Sequence, residues 1–128
     1  MPYTPHPHHR NAAYAHQKSQ WCIGIAEEQA TYTLATLCEW TYGNCFWGLH
    51  ILQAGPSQLG TSPLPESACL HIAKFVGDDQ GNWHGYPVAH WLSPFDKPST
   101  AVLESWFAAG FIGRAKVGKI KRGKRCVL

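Results

Sequence analysis

Two histidines in the second half of the chain have the side chain that acid-base chemistry on RNA requires. His84 and His90 are followed by many lysines and arginines. One imidazole could take the proton of a 2′-hydroxyl, the other could protonate the leaving oxygen, and a cation could stabilise the charge of the phosphorane. On a regular strand, however, six residues at about 3.3 Å each would place the two rings about 20 Å apart. A small metal-independent ribonuclease that uses these weak catalytic candidates is therefore an alternative and not the main prediction.

Cysteine and histidine side chains could instead assemble a zinc site. Structural zinc sites usually contain a pair of ligands about two to four residues apart, and the spacings in this chain do not follow that pattern. Free, buried cysteine is the better interpretation, so the sequence predicts no metal site and no cofactor. The candidate ligand sets are Cys69, His71, His84 and His90, or Cys38 and Cys45.

An odd number of cysteines favours a reducing compartment over a disulfide-linked secreted scaffold. No signal-peptide pattern and no apolar stretch of transmembrane length is evident, since residues 34–52 are interrupted by polar side chains. The sequence therefore predicts a cytoplasmic protein that has no membrane contact and whose cysteines are mostly reduced and buried. The five cysteines are Cys22, Cys38, Cys45, Cys69 and Cys126.

Positive charge concentrated near the C-terminus is the strongest functional signal in the chain. Residues 1–67 sum to −2 and residues 68–128 to +5, and no acidic residue follows Glu104. Such a segment suits phosphate, because each neutralised phosphate releases condensed counterions and the attraction steers encounter. The predicted nucleic-acid-binding residues are Arg114, Lys116, Lys119, Lys121, Arg122, Lys124 and Arg125.

These observations predict a non-catalytic protein that binds RNA or DNA with little sequence preference, largely through phosphates. A basic tail can also serve only solubility, and it can bind an acidic protein partner. A further alternative is a protein-interaction module, in which exposed aromatic side chains form the contact. The aromatic candidates for that role are Trp83, Tyr86 and Trp91.

A β-hairpin is the clearest pattern among the elements that must position these residues. The run from Leu70 to Val76 alternates like a strand, residues 77–82 have turn chemistry, and residues 83–88 continue as a second strand. Gly85 indicates a bulge or a close approach by another backbone. Pro87 indicates a sheet edge or a strand end.

A helix from about Lys97 to Ala109 follows the hairpin. Asp96 and Ser99 are both suitable N-caps, and Gly110 is a natural stop. One face of this helix is apolar and should pack on the hairpin. The residues expected on that face are Val102, Leu103, Trp106 and Phe107.

The whole chain is predicted to be a small α+β domain in which an amphipathic helix packs on the hairpin. Residues 1–20 are interpreted as a flexible arm, 21–54 as a part with helix and strand, 55–67 as a Pro/Gly linker or long loop, and 68–128 as the α+β module with the basic C-terminal tail. In the second part, a helix from Glu27 to Trp40 is expected, with its first-turn acids favoured by the helix dipole. Whether that part shares a core with residues 68–128 is not decided by the pattern.

Overall fold

Three helices and several antiparallel sheets make up residues 2–128, which are the residues that this computed structural model describes. The predicted α+β class is confirmed. In chain order the strands are β1 Gln20–Trp21, β2 Thr41–Tyr42, β3 Cys45–Gly48, β4 His50–Leu52, β5 Gly55–Ser57, β6 Gly60–Thr61, β7 Cys69–Leu70, β8 Ile72–Gly77 and β9 Trp83–Val88. The helices are α1 Ile25–Leu37, α2 Thr100–Ala108 and α3 Arg114–Lys121.

The predicted hairpin is strands β8 and β9, which belong to a four-stranded sheet in the order β2-β3-β8-β9. Its turn is held by the Asp78 carboxylate, which accepts hydrogen bonds from two backbone N–H groups at 2.9 Å each. Gly85 pairs regularly with Phe75, so the predicted bulge is absent from this hairpin. Glycine is needed at this position because the Phe75 ring and the Tyr3 hydroxyl fill the space that a Cβ would occupy.

Both halves of the chain share one hydrophobic core. Strand β3 pairs with β8 from Cys45 opposite Val76 to Gly48 opposite Ala73. Residues 55–67 were predicted to be a Pro/Gly linker or long loop. In the structure they contain β5 and β6, and Leu59 is completely buried. The core extends across the whole chain and includes Trp21, Trp47, Leu59, Phe75, Trp106 and Ile120.

The N-terminal segment is packed against the hairpin, in contrast to the predicted arm. The Thr4 N–H donates to the Trp83 carbonyl at 2.8 Å, and the Trp83 N–H donates to the Pro2 carbonyl at 3.0 Å. Two short 3₁₀ turns follow, at Pro7–Arg10 and Ala12–Tyr14. The residues that hold this segment are distant in the sequence, so a local pattern could not reveal its docking. Met1, the first residue of the predicted arm, lies outside the described residues.

Helix α1 begins and ends before the limits predicted for it. At its start the Glu27 carboxylate accepts the Gly24 N–H at 2.8 Å, which caps the first turn. The predicted helix continued to Trp40, whereas the chain leaves helical geometry at Glu39, whose φ is 55°. Trp40 is buried after this turn and packs edge-on against Trp106, with 5.8 Å between ring centres.

Helix α2 agrees with the prediction at its cap and on most of its apolar face. The Ser99 hydroxyl accepts the Val102 N–H at 3.3 Å, and Gly110 takes the left-handed conformation after the helix. Val102, Leu103 and Trp106 are buried as expected. The prediction for Phe107 is wrong, since this side chain is 37% exposed and the Arg114 guanidinium lies 3.9 Å from its ring centre.

Candidate nucleic-acid interface and neighbouring clefts

Helix α3 holds the first part of the basic segment on the core. Val117 and Ile120 are buried, and this spacing of three residues puts both on one side of the helix. Lys119 and Lys121 are exposed in the last turn of the helix, where the helix dipole favours cations. Residues 125–128, the end of the basic tail, are neither helix nor strand.

Glu104 of helix α2 pairs with two of the seven predicted cations. Its carboxylate lies 2.7 Å from Arg114 Nη1 and 3.4 Å from Lys121 Nζ. The hydrogen bond from Arg114, followed by that from Lys121, lowers the pKa of Glu104. Of the residues described, no carboxylate lies within 4 Å of the other five cations. These five are Lys116, Lys119, Arg122, Lys124 and Arg125.

Two contacts fix the chain beyond helix α3. The Lys124 carbonyl accepts a hydrogen bond from His90 Nε2 at 2.7 Å, and a carbonyl can only accept, so this nitrogen carries the proton. Burial lowers the pKa of His90, which favours the neutral ring. The Arg125 guanidinium lies 5.3 Å from the ring centre of Trp91, within cation–π distance.

The two histidines considered for catalysis contact different parts of the molecule. His84 Nδ1 bonds the Thr4 carbonyl at 2.8 Å, and its Nε2 lies 3.8 Å from the Asp78 carboxylate. His90 is buried and contacts the C-terminal segment instead. Because one ring serves the N-terminal segment and the other the C-terminal segment, the structure gives no geometric support to a catalytic pair.

None of the three aromatic candidates for a protein contact is freely exposed. Trp83 is half-buried with its ring centre 5.3 Å from that of Phe46, and Trp91 is half-buried beside Arg125. Tyr86 is also half-buried, and its hydroxyl donates to Asp96 Oδ1 at 3.1 Å. The most exposed aromatic side chains among the residues described are Phe95, 82% exposed, and Tyr42, 69% exposed.

The prediction of mostly buried cysteines is wrong. All five are free, and three of them are exposed. Within residues 2–128, no three or more histidine, cysteine or acidic side chains converge on a position suited to a metal ion. None of the helices described there is long and apolar enough to cross a membrane. The exposed cysteines are Cys22, Cys38 and Cys69, and the half-buried ones are Cys45 and Cys126.

A cleft of about 430 Å³ between the N-terminal segment and β9 was not anticipated from the sequence. The His9 ring stacks on Tyr86 there, with 5.3 Å between ring centres. Burial raises the pKa of Tyr86, and Asp96 beside its hydroxyl raises it further. Lys74 Nζ lies 3.6 Å from the same carboxylate and donates to the Phe95 carbonyl at 2.6 Å. These contacts hold the Tyr86 hydroxyl and the Asp96 carboxylate in place beside the cleft.

A smaller cleft of about 210 Å³ adjoins one of the five free cations, Arg125, which forms part of its wall. The rest of its lining comes from Trp91 and Leu92 and from Ser62, Pro63, Glu66 and Ala68. This cleft and the free cations offer apolar and charged groups to a ligand. No protein-family model, curated protein or solved structure matches this chain. Function is therefore inferred from the geometry and charge of the chain itself.

Proposed function

We propose that the protein binds RNA or DNA through phosphates, using the cations of helix α3 and of the segment after it, without catalysing a reaction. The observation that carries this proposal is the set of five cations with no carboxylate within 4 Å among the residues described. Unpaired surface cations attract a polyanion, and each phosphate they neutralise releases counterions. Arg114 and Lys121 should contribute less, because Glu104 already partly neutralises both.

The anchoring of the basic segment favours binding over a role in solubility alone. Val117 and Ile120 fix one side of α3 in the core, and His90 holds the backbone at Lys124. Cations on a fixed backbone lose less conformational freedom on binding than cations on a free tail. A tail that served only solubility would need none of these contacts.

The proposal is tested with two variants of equal net charge. The triple variant Lys119→Gln, Arg122→Gln and Lys124→Gln removes three free cations and takes the formal net charge from +3 to 0. The control variant reaches the same net charge by adding three acids at exposed positions away from the segment, through the changes Gln29→Glu, Asn44→Asp and Gln80→Glu.

Affinity for a labelled RNA and for a DNA duplex is measured by fluorescence anisotropy across a salt series. In the triple variant we expect clearly weaker binding and a salt dependence whose logarithmic slope is smaller by about 2 to 3, close to one per lost contact. The control should keep the wild-type slope. Absence of wild-type binding at about 50 mM salt, or equal weakening of both variants, would show that the segment is not a phosphate-binding surface.

A protein-binding surface is the second candidate, and the exposure of Phe95 and Tyr42 favours it. These two side chains line one cleft of about 490 Å³, which also contains Lys97. A complex centred there should tolerate salt, because apolar contact contributes most of its free energy. Phe95→Ser with Tyr42→Ser should abolish such a complex, and the triple cation variant should leave it intact.

A further inference from the structure

The cleft beside Arg125 has the size and lining of a site for one flat ring. Its volume is about 210 Å³, whereas sites for drug-sized ligands measure about 300–1,000 Å³. Trp91, Leu92 and Pro63 give it apolar walls. Ser62 and Ala68 also line it, and the Ser62 hydroxyl accepts the Ala68 N–H at 2.8 Å, which holds the loop between them in place. An aromatic heterocycle is the chemical group that such a slot accommodates best, because it can stack on the indole.

One wall of this cleft carries positive charge. Arg125 lies over Trp91 in the wall of the cleft, and the free cations Arg122 and Lys124 come just before it in the chain. A strand whose phosphates contact these cations would bring a neighbouring base to the cleft. In a duplex each base is paired and stacked inside the helix, so only an unpaired base could enter.

We propose that this cleft is a subsite for one unpaired base, which makes single-stranded nucleic acid the preferred ligand of the surface. The inference rests on the proposed function and deepens it, because it adds a contact that a phosphate-binding surface alone does not provide. Trp91 stacks on the base, and Arg125 neutralises the adjoining phosphate.

Glu66 gives the subsite a preference among bases. Its exposed carboxylate lines the cleft, and a carboxylate accepts hydrogen bonds but donates none. Cytosine presents an amino group at the position where uracil presents a carbonyl oxygen, although the two rings have the same size. The carboxylate should therefore favour cytosine and repel the carbonyl oxygen of uracil.

Three ligands test the proposal on the full chain: oligocytidine and oligouridine of about 12 nucleotides, and a duplex of the same length. Wild type should bind both single strands more tightly than the duplex, and oligocytidine about 3- to 10-fold more tightly than oligouridine. Trp91→Ala should weaken single-strand binding about 5- to 100-fold and duplex binding by much less, and Trp91→Phe should retain most of the affinity. Glu66→Gln should remove the difference between cytosine and uracil.

The outcomes separate this inference from the proposed function. If the wild-type protein binds no nucleic acid, both the base subsite and the phosphate-binding surface are refuted. Equal binding of single strand and duplex, with no effect of Trp91→Ala or Glu66→Gln on either, would overturn the base subsite and leave the phosphate surface standing. Glu66 is exposed and has no hydrogen bond from its side chain among the residues described, so its variant tests the subsite even if Trp91→Ala unfolds the protein.

Discussion

At the scale of single residues, a fully buried carboxylate fixes the N-terminal segment to the core. Glu28 accepts hydrogen bonds from the Tyr3 hydroxyl and from Arg10 Nε, the latter at 2.9 Å, and Arg10 Nη2 lies 2.7 Å from the same carboxylate oxygen. A buried charge is tolerated only when it is paired and hydrogen-bonded. Burial, with the hydrogen bond to Glu28, raises the pKa of Tyr3, so its hydroxyl remains a donor at physiological pH.

Removal of Arg10 should therefore destabilise the protein strongly. Arg10→Met leaves the Glu28 carboxylate buried without a counter-charge, and we expect the free energy of unfolding to fall by about 3 to 5 kcal/mol. Urea unfolding measures this change, with Lys18→Met as the control, since Lys18 is an exposed cation of the same segment. The double variant Arg10→Met, Glu28→Met should recover most of the loss, because it removes both charges. A single variant as stable as wild type would contradict the pairing.

Only half of this arrangement could be predicted from the sequence. Acids in the first turn of α1 follow from the helix dipole, and Glu27 does cap that turn. The partners of Glu28 are 18 and 25 residues away and lie in a polar segment without helical or strand periodicity. Nothing in the local pattern distinguishes the buried Glu28 from the exposed Glu27 beside it. Whether a charged side chain is buried depends on residues that are distant in the sequence and pack against it in the fold.

At the scale of elements, the sequence predicted those structures whose interacting residues are close together in the chain. The hairpin and helix α2 depend on turn residues, caps and apolar spacing within about ten residues, and both were predicted. Strand β3 pairs with β8 across about thirty residues, and β6 pairs with both β1 and β7. Short strands of two to four residues contain too little alternation to reveal such partners.

Adjacent positions of helix α2 allow a direct test of its orientation. Trp106 is completely buried and packs against Trp40, whereas Phe107 is partly exposed. Trp106→Ala should lower the free energy of unfolding by about 3 to 5 kcal/mol, because it leaves a large cavity. Phe107→Ala should lower it by less than about 1 kcal/mol, since this ring is outside the core. Similar losses for the two variants in thermal or urea unfolding would show that the helix faces another direction.

At the scale of the whole molecule, histidines hold both ends of the chain. His84 bonds the Thr4 carbonyl, His9 bonds the Ser19 carbonyl at 2.8 Å, and His90 bonds the Lys124 carbonyl. The pKa of four histidines is lowered, mainly because burial disfavours the charged ring. These four are His6, His9, His71 and His90. Protonation of these rings should therefore destabilise the folded state.

This arrangement predicts a loss of stability in mild acid. An unfolded histidine titrates near pH 6.5, and the folded rings have a lower pKa, so below about pH 6.5 the unfolded state binds more protons than the folded state. The free energy of unfolding should be nearly constant above about pH 7 and should fall as the pH decreases from about 6.5 through the pKa values of the folded rings. The carboxylates with lowered pKa, Asp78 and Glu104, titrate at lower pH and should not add to this decline above about pH 5.

Two histidine variants and a control identify the groups responsible for that decline. In the double variant His9→Gln, His90→Gln, the amide N–H can still donate to the Ser19 and Lys124 carbonyls but cannot be protonated, so the decline should become shallower. His16→Gln, at an exposed position, should leave it unchanged. Urea unfolding midpoints are compared between about pH 7.5 and pH 5. A wild-type protein whose stability stays constant or rises across this interval would contradict the assignment, because burial of neutral histidine allows stability to change in one direction only.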